Sequence, residues 1–192
     1  RFSEKQLLED INLSIHLGDK IGLVGVNGSG KSTLLQIIAG AMEEDAGEIL
    51  RSNELRIGYL PQNPDFEPEA TVLEQAMEYV QGAVPEYVVK TLLTKLRMNM
   101  FDRKMKALSG GQRKRVAMAA VMCRDTNLLI LDEPTNHMDN DIIEWLEEQL
   151  ENYKGSVLMI THDRYFLERV TNHICEIEKG ALVSYEGNYE AY

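Results

Sequence analysis

The sequence predicts an α/β fold with a mainly parallel sheet covered on both faces, and three observations carry that expectation. From Ser109 onward, short apolar runs of strand length alternate with stretches of helical periodicity. A glycine-dense loop directly follows the buried-strand run at 20–24 and opens a helix from Lys31 to Ala39. A second apolar run, Leu128-Leu129-Ile130-Leu131, ends in two adjacent acids, Asp132 and Glu133.

Element by element, residues 11–16 (INLSIH) alternate apolar and polar and read as a half-buried strand. Gly18-Asp19 turns the chain into the strand at 20–24, and Gly40 ends the helix that follows the loop. Strands are expected at 47–50 and 56–60. Pro61, Pro64 and Pro68 then impose a loop. Helical periodicity returns at 71–80 and 86–97, joined by a short link at 82–85, as a small helical region inserted between two parts of the core. Beyond it come a helix at 111–123, a strand at 127–131, a helix at 140–150 and a strand at 156–160. A helix at 163–170 and a final strand pair near 173–178 and 181–185 complete the pattern.

The chain of 192 residues is long enough for one filled core and too short for two full domains. Its 44% apolar and 27% charged residues are ordinary for a globular protein, and no apolar run approaches the roughly 20 residues of a membrane-spanning helix. There is no secretory leader, and the start at Arg1, in mid-pattern, suggests a fragment of a longer protein. Cys123 and Cys175 lie in apolar surroundings without metal-ligand spacing and read as reduced core thiols of a cytosolic protein. With 31 acids against 20 bases, the net charge of −11 does not suit a broad nucleic-acid footprint. A local basic stretch, Arg113, Lys114 and Arg115, reads as a solvated helix face, with RNA contact as the alternative.

Gly25-Val26-Asn27-Gly28-Ser29-Gly30-Lys31-Ser32 has the P-loop form in its required setting, between a strand and a helix. Glycines let the backbone N–H groups wrap phosphates, and the helix N-terminus adds partial positive charge there. Gly25, Asn27, Gly28, Ser29, Gly30, Lys31, Ser32 and Thr33 are therefore the candidate phosphate-binding residues. Lys31 is placed for the β and γ phosphates and Ser32 for Mg²⁺. Asp132 is a second Mg²⁺ candidate, directly or through water. Glu133, one residue on, is placed to polarise an attacking water. His162 ends the strand at 156–160, and Gln62 follows the strand at 56–60, so both stand at the same sheet edge. Taken alone, each is more often structural. Leu108-Ser109-Gly110-Gly111-Gln112 starts another helix with Ser109 as cap and N–H groups free for an anion.

Together these motifs resemble the ABC ATPase superfamily over essentially the whole chain, with residues 108–112 similar to its LSGGQ signature. The resemblance implies one domain, with the nucleotide core at 1–62 and 108–192. A helical insert at 63–107 would pack also against the signature helix. It implies MgATP hydrolysis at a composite site in which Ser109, Gly110, Gly111 and Gln112 serve ATP held by a partner domain packed head to tail. That partner would be a second ATPase domain of the same chain, or a homodimer mate. Gln62 would couple Mg²⁺ and water to the insert, His162 would contact the γ-phosphate, and Phe2 would lie against adenine. Pro134-Thr135-Asn136-His137-Met138-Asp139, His162-Asp163-Arg164-Tyr165-Phe166-Leu167 and Tyr185-Glu186-Gly187-Asn188-Tyr189 resemble the ABC-F subfamily, soluble tandem ATPases that act largely on ribosomes. This implies a cytoplasmic, ribosome-associated parent protein of the translation-factor or antibiotic-resistance type. A transporter subunit and a DNA-associated or non-hydrolysing scaffold are the alternatives. Trp145 and the tail resemble the N-terminal domain of such proteins, many of which carry a long arm where this chain is compact, around 82–86. A short-arm member, an omitted segment and the C-terminal domain all fit that compactness.

Overall fold

In the computed structural model, residues 15–25, 30–40, 54–178 and 181–186 are described. Phe2, Asn27, Gly28, Ser29, the strand expected at 47–50, most of that at 11–16 and the tail at 187–189 lie outside them. The elements are β1 (Lys20–Gly25), α1 (Lys31–Ala39), β2 (Ile57–Leu60), α2 (Val72–Val80), α3 (Glu86–Lys95), a 3₁₀ turn (Met105–Ala107), α4 (Gly110–Cys123), β3 (Leu128–Asp132), α5 (Asn140–Asn152), β4 (Ser156–Ile160), α6 (Arg164–Val170), β5 (His173–Glu178) and β6 (Ala181–Glu186).

The six strands form one sheet in the order β2-β3-β4-β1-β5-β6. Four neighbouring pairs are parallel, and β6 runs antiparallel to β5 at one edge. Both faces are covered, which is why Leu128–Leu131 of β3 and Val157–Ile160 of β4 are unbroken apolar runs. Leu128, Ile130, Leu158 and Ile160 point to a core shared with Leu34 and Leu35 of α1. Leu129, Leu131, Val157 and Met159 point to the opposite core, which holds residues of α4, α5 and α6.

Local chemistry fixes where the helices begin. Thr71 and Ser109 each start a capping box: Thr71 Oγ1 accepts from Glu74 N and Ser109 Oγ from Gln112 N, while Glu74 and Gln112 reach back to the cap residues' N–H groups. Asp163 caps α6 through Phe166 N. Gly30 (φ 97°) and Gly40 (φ 83°) bracket α1 in the left-handed region, where a side chain would be strained.

The helical insert is not a separate body. Val72, Ala76 and Val80 of α2 and Val89 and Leu93 of α3 are buried in the same cluster as Val116, Met118 and Val121 of α4 and Leu129 and Leu131 of β3. Residues 98–107, which carry no helical or strand periodicity, run back along 68–73. Val72 N donates to Arg103 O (2.8 Å), Met105 N to Ala70 O (2.8 Å), and Lys104 and Lys106 both pair with Glu69.

The basic stretch at 113–115 corrects the expectation of a solvated face. Lys114 is only 4% exposed, and Arg113 and Arg115 are half-buried. α4 lies between the insert and the sheet, so nearly its whole circumference is covered.

Candidate nucleotide site

The parallel strands deliver their carboxyl ends to one edge, and the chemistry collects there. A cavity of about 390 Å³ is lined by Lys31, Ser32, Gln62, Asp132, Glu133, Thr135, Asn136, His137 and Ile160 to Asp163. A smaller one of about 170 Å³ shares Lys31, Thr161 and His162 with it. The sequence candidates Lys31, Ser32, Gln62, Asp132, Glu133 and His162 therefore come together from α1, the end of β3 and the loops after β2, β3 and β4. Thr33 lies in the first turn of α1 without lining the cavity.

Lys31 is buried at the start of α1, and its Nζ donates to Gly25 O at the end of β1. Burial lowers its pKa, opposed by the charges of Glu133 and Asp132. Asp132, 2% exposed, accepts a hydrogen bond from Ser32, and its Oδ1 is buried with no hydrogen-bond partner among the described residues. Burial raises its pKa, opposed by that hydrogen bond and by Lys114 and Lys31.

Glu133 stands in the left-handed region, at φ 52°. Its N–H donates to Ile160 O (2.7 Å), which turns the chain so that the side chain faces His162, with Oε1 3.3 Å from His162 Nε2. Burial raises the pKa of Glu133, opposed first by His162. A carboxylate of raised basicity beside a cavity is suited to accept a proton.

Ser109, Gly110, Gly111 and Gln112 are not brought to this cavity. Ser109 and Gly110 are exposed. A Cβ on Gly111 would lie 3.2 Å from His137 Cβ and 3.3 Å from His137 O, so the helix start abuts the loop after β3.

Two contributors escaped sequence reasoning. Lys114 Nζ donates to Pro61 O (2.7 Å), Gln62 O (2.9 Å) and Asp132 O (2.6 Å), and burial lowers its pKa to about 8. Thr135 and Thr161 are buried with hydroxyls 3.4 Å apart, and Thr161 Oγ1 accepts from Asp163 N (3.1 Å), joining the loops after β3 and β4. No pattern in the sequence singles out either arrangement, since each depends on strands brought side by side.

A helix start bearing lysine and serine, set against a parallel strand that ends in an acid, is the arrangement of the P-loop nucleotide-binding class. Residues 8–136 match the family described as ABC transporter, and the chain belongs to that family. It is 40% identical over 231 residues to the uncharacterized ABC transporter ATP-binding protein YfmR of Bacillus subtilis, covering 100% of this chain and 37% of YfmR. It is 37% identical over 230 residues to the energy-dependent translational throttle protein EttA of Haemophilus influenzae, covering 98% of this chain and 41% of EttA. The chain thus spans about two fifths of the length of these relatives. The dimeric post-hydrolysis structure of the ATP-binding cassette MJ0796, bound to ADP and Pi, matches with a TM-score of 0.80 at 26% identity over 97% of this chain and 94% of that one.

Proposed function

We propose that this domain binds and hydrolyses MgATP as one half of a head-to-tail pair of ATPase domains, within a cytoplasmic, ribosome-associated protein of the ABC-F type. The observation that carries the ATPase reading is the gathering of Lys31, Ser32, Gln62, Asp132, Glu133 and His162 around one cavity. The exposed signature start outside that cavity supports the trans arrangement, and so does the dimeric, ADP- and Pi-bound MJ0796 structure.

The residues present fit Mg²⁺. An unpartnered buried carboxylate oxygen beside a serine hydroxyl is a hard-oxygen donor set of the kind that ion takes. Ser32 and Asp132 would hold it, with Gln62 at the cavity rim, and it would neutralise charge on the β and γ phosphates. Lys31 and the N-terminus of α1 stabilise phosphate charge, joined by the loop residues Gly25, Asn27, Gly28, Ser29 and Gly30. Glu133 orients the water and accepts its proton, and its raised basicity favours that step. His162 sits against Glu133 and would contact the γ-phosphate. Phe2 is proposed for adenine by resemblance alone.

The domain division at 1–62, 63–107 and 108–192 is likewise proposed. The ribosomal role rests on likeness to EttA, an ABC-F protein, and on the ABC-F-like segments at 134–139 and 162–167. The match to YfmR extends over 231 residues, 39 more than this chain has, in keeping with a compact, short-arm domain here. Trp145, on α5 and packed against the larger hydrophobic cluster, supports an N-terminal placement only through resemblance.

The test uses the intact parent protein carrying Glu133→Gln. Phosphate release should fall by roughly a hundredfold or more while ATP binding persists, and the ATP-bound variant should co-sediment with ribosomes. Unchanged phosphate release overturns the assignment of Glu133. ATP binding without ribosome pelleting removes the ribosomal reading and favours a transporter subunit.

A further inference from the structure

Lys114 has no part in the proposed hydrolysis, yet its buried ammonium is fully hydrogen-bonded beside the site. An ammonium carries three N–H donors, and here all three go to backbone carbonyls: Pro61 and Gln62 after β2, and Asp132 at the end of β3. Among the described residues no carboxylate lies within ion-pair distance of it, so its direct partners are peptide carbonyls, with the charges of Asp132 and Glu133 acting on it from further away. Burying such a cation is strongly unfavourable unless its hydrogen bonds are complete.

We propose that Lys114 is a positioning residue for Glu133 and Gln62, acting through the backbone, an inference that rests on the ATPase reading above. The Asp132–Glu133 peptide is gripped at both ends: its C=O accepts from Lys114 Nζ at 2.6 Å, and its N–H donates to Ile160 O at 2.7 Å. That grip fixes the peptide plane and with it the left-handed turn at Glu133, which sets the direction of the carboxylate. The same ammonium holds the Pro61 and Gln62 carbonyls, and the neighbouring Arg113 stacks on Phe66 further along the same loop, 4.3 Å from the ring centroid. The loop that carries Gln62 is thus attached to α4 at two points. With the ammonium removed, the peptide is free to rotate and Glu133 to relax toward ordinary φ, away from the attacking-water position.

The experiment compares wild type, Lys114→Met and Lys114→Arg in the intact parent protein. It reads the Kd for a fluorescent ATP analogue with Mg²⁺, single-turnover phosphate release, and amide hydrogen exchange without nucleotide. Methionine fills the space without donors, whereas arginine keeps them. Lys114→Met should hold Kd within about threefold, since Lys31 and Ser32 are untouched, and lower the single-turnover rate about tenfold or more. Exchange should quicken at 62–66 and 133–138 and stay unchanged at 20–25, and Lys114→Arg should recover part of the rate. A Lys114→Met rate within about twofold of wild type overturns the proposal. So does a parallel fall of affinity and rate with faster exchange at 20–25, which marks a general loss of structure. If Lys114→Met does not fold, Lys114→Gln, with two donors left, is judged by the same criteria. A wild type that releases no phosphate removes the ATPase reading, and the exchange comparison then decides the positioning role by itself.

Discussion

At the scale of single residues, what could be read from the sequence was whatever a spacing encodes. Lys31 and Ser32 follow from a glycine pattern between strand and helix, and Asp132 and Glu133 follow from an apolar run that ends in acids. Lys114 did not, because its acceptors lie 53, 52 and 18 positions away along the chain and meet it only when β2 and β3 pair. A basic triplet on a helix looks solvated until the insert covers that helix. The unpartnered oxygen of Asp132 supports a prediction about metal. With ATP at about 100 times its Kd, Mg²⁺-dependent binding should stabilise the domain by about 2.7 kcal/mol, a rise in melting temperature of roughly 5–10 °C for a chain of this size. Asp132→Asn, or chelation of Mg²⁺ in the wild type, should remove most of that rise. A full rise in Asp132→Asn would show that its carboxylate holds no metal. Without nucleotide, Asp132→Asn should not be less stable, since burial disfavours the native charge.

At the scale of elements, the helices and strands of the described residues were legible because apolar period and capping agree. Thr71 and Glu74, Ser109 and Gln112, and Gly40 mark helix ends that the structure places within a residue or so of expectation. The helix expected at 86–97 stops at Lys95, because Arg97 takes φ 61° and pairs with Asp139 and Asp141 near the start of α5. The return segment at 98–107 was not legible, since its hydrogen bonds are with backbone at 68–73 and not with a repeating face. One consequence for the insert concerns Tyr79, whose hydroxyl donates to Asp65 O and whose pKa burial pushes up to about 12. The folded state favours the protonated phenol, while the unfolded chain loses that proton near pH 10. The stabilising contribution is therefore complete below pH 10 and is lost as pH rises toward 12. Urea unfolding across that window should show a steeper alkaline loss in wild type than in Tyr79→Phe. Equal slopes would mean that Tyr79 titrates normally.

At the scale of the whole molecule, alternation of apolar runs with helices told which faces are buried but not which strands are neighbours. β1 lies between β4 and β5, far from it in sequence, and only this order sets the carboxyl ends of β1, β3 and β4 side by side. On the proposed head-to-tail pairing, the exposed signature start serves a second domain. Its distance from the cavity of its own chain predicts that hydrolysis by this domain alone depends on encounter. Phosphate released per domain should rise as concentration is raised, and linking two domains should abolish that dependence. A rate per domain that is constant on dilution would indicate that one domain is sufficient.

The left-handed backbone at Glu133 matters for anyone evolving this protein. Holding a non-glycine residue there costs about 1–2 kcal/mol, and the half-buried carboxylate adds a desolvation cost. Glycine at this position would relieve both and would also delete the proposed proton acceptor. A library screened only for survival of heating will therefore enrich Glu133→Gly among its winners. Such a screen selects hardy domains that bind nucleotide and no longer turn it over, unless each round is also required to release phosphate.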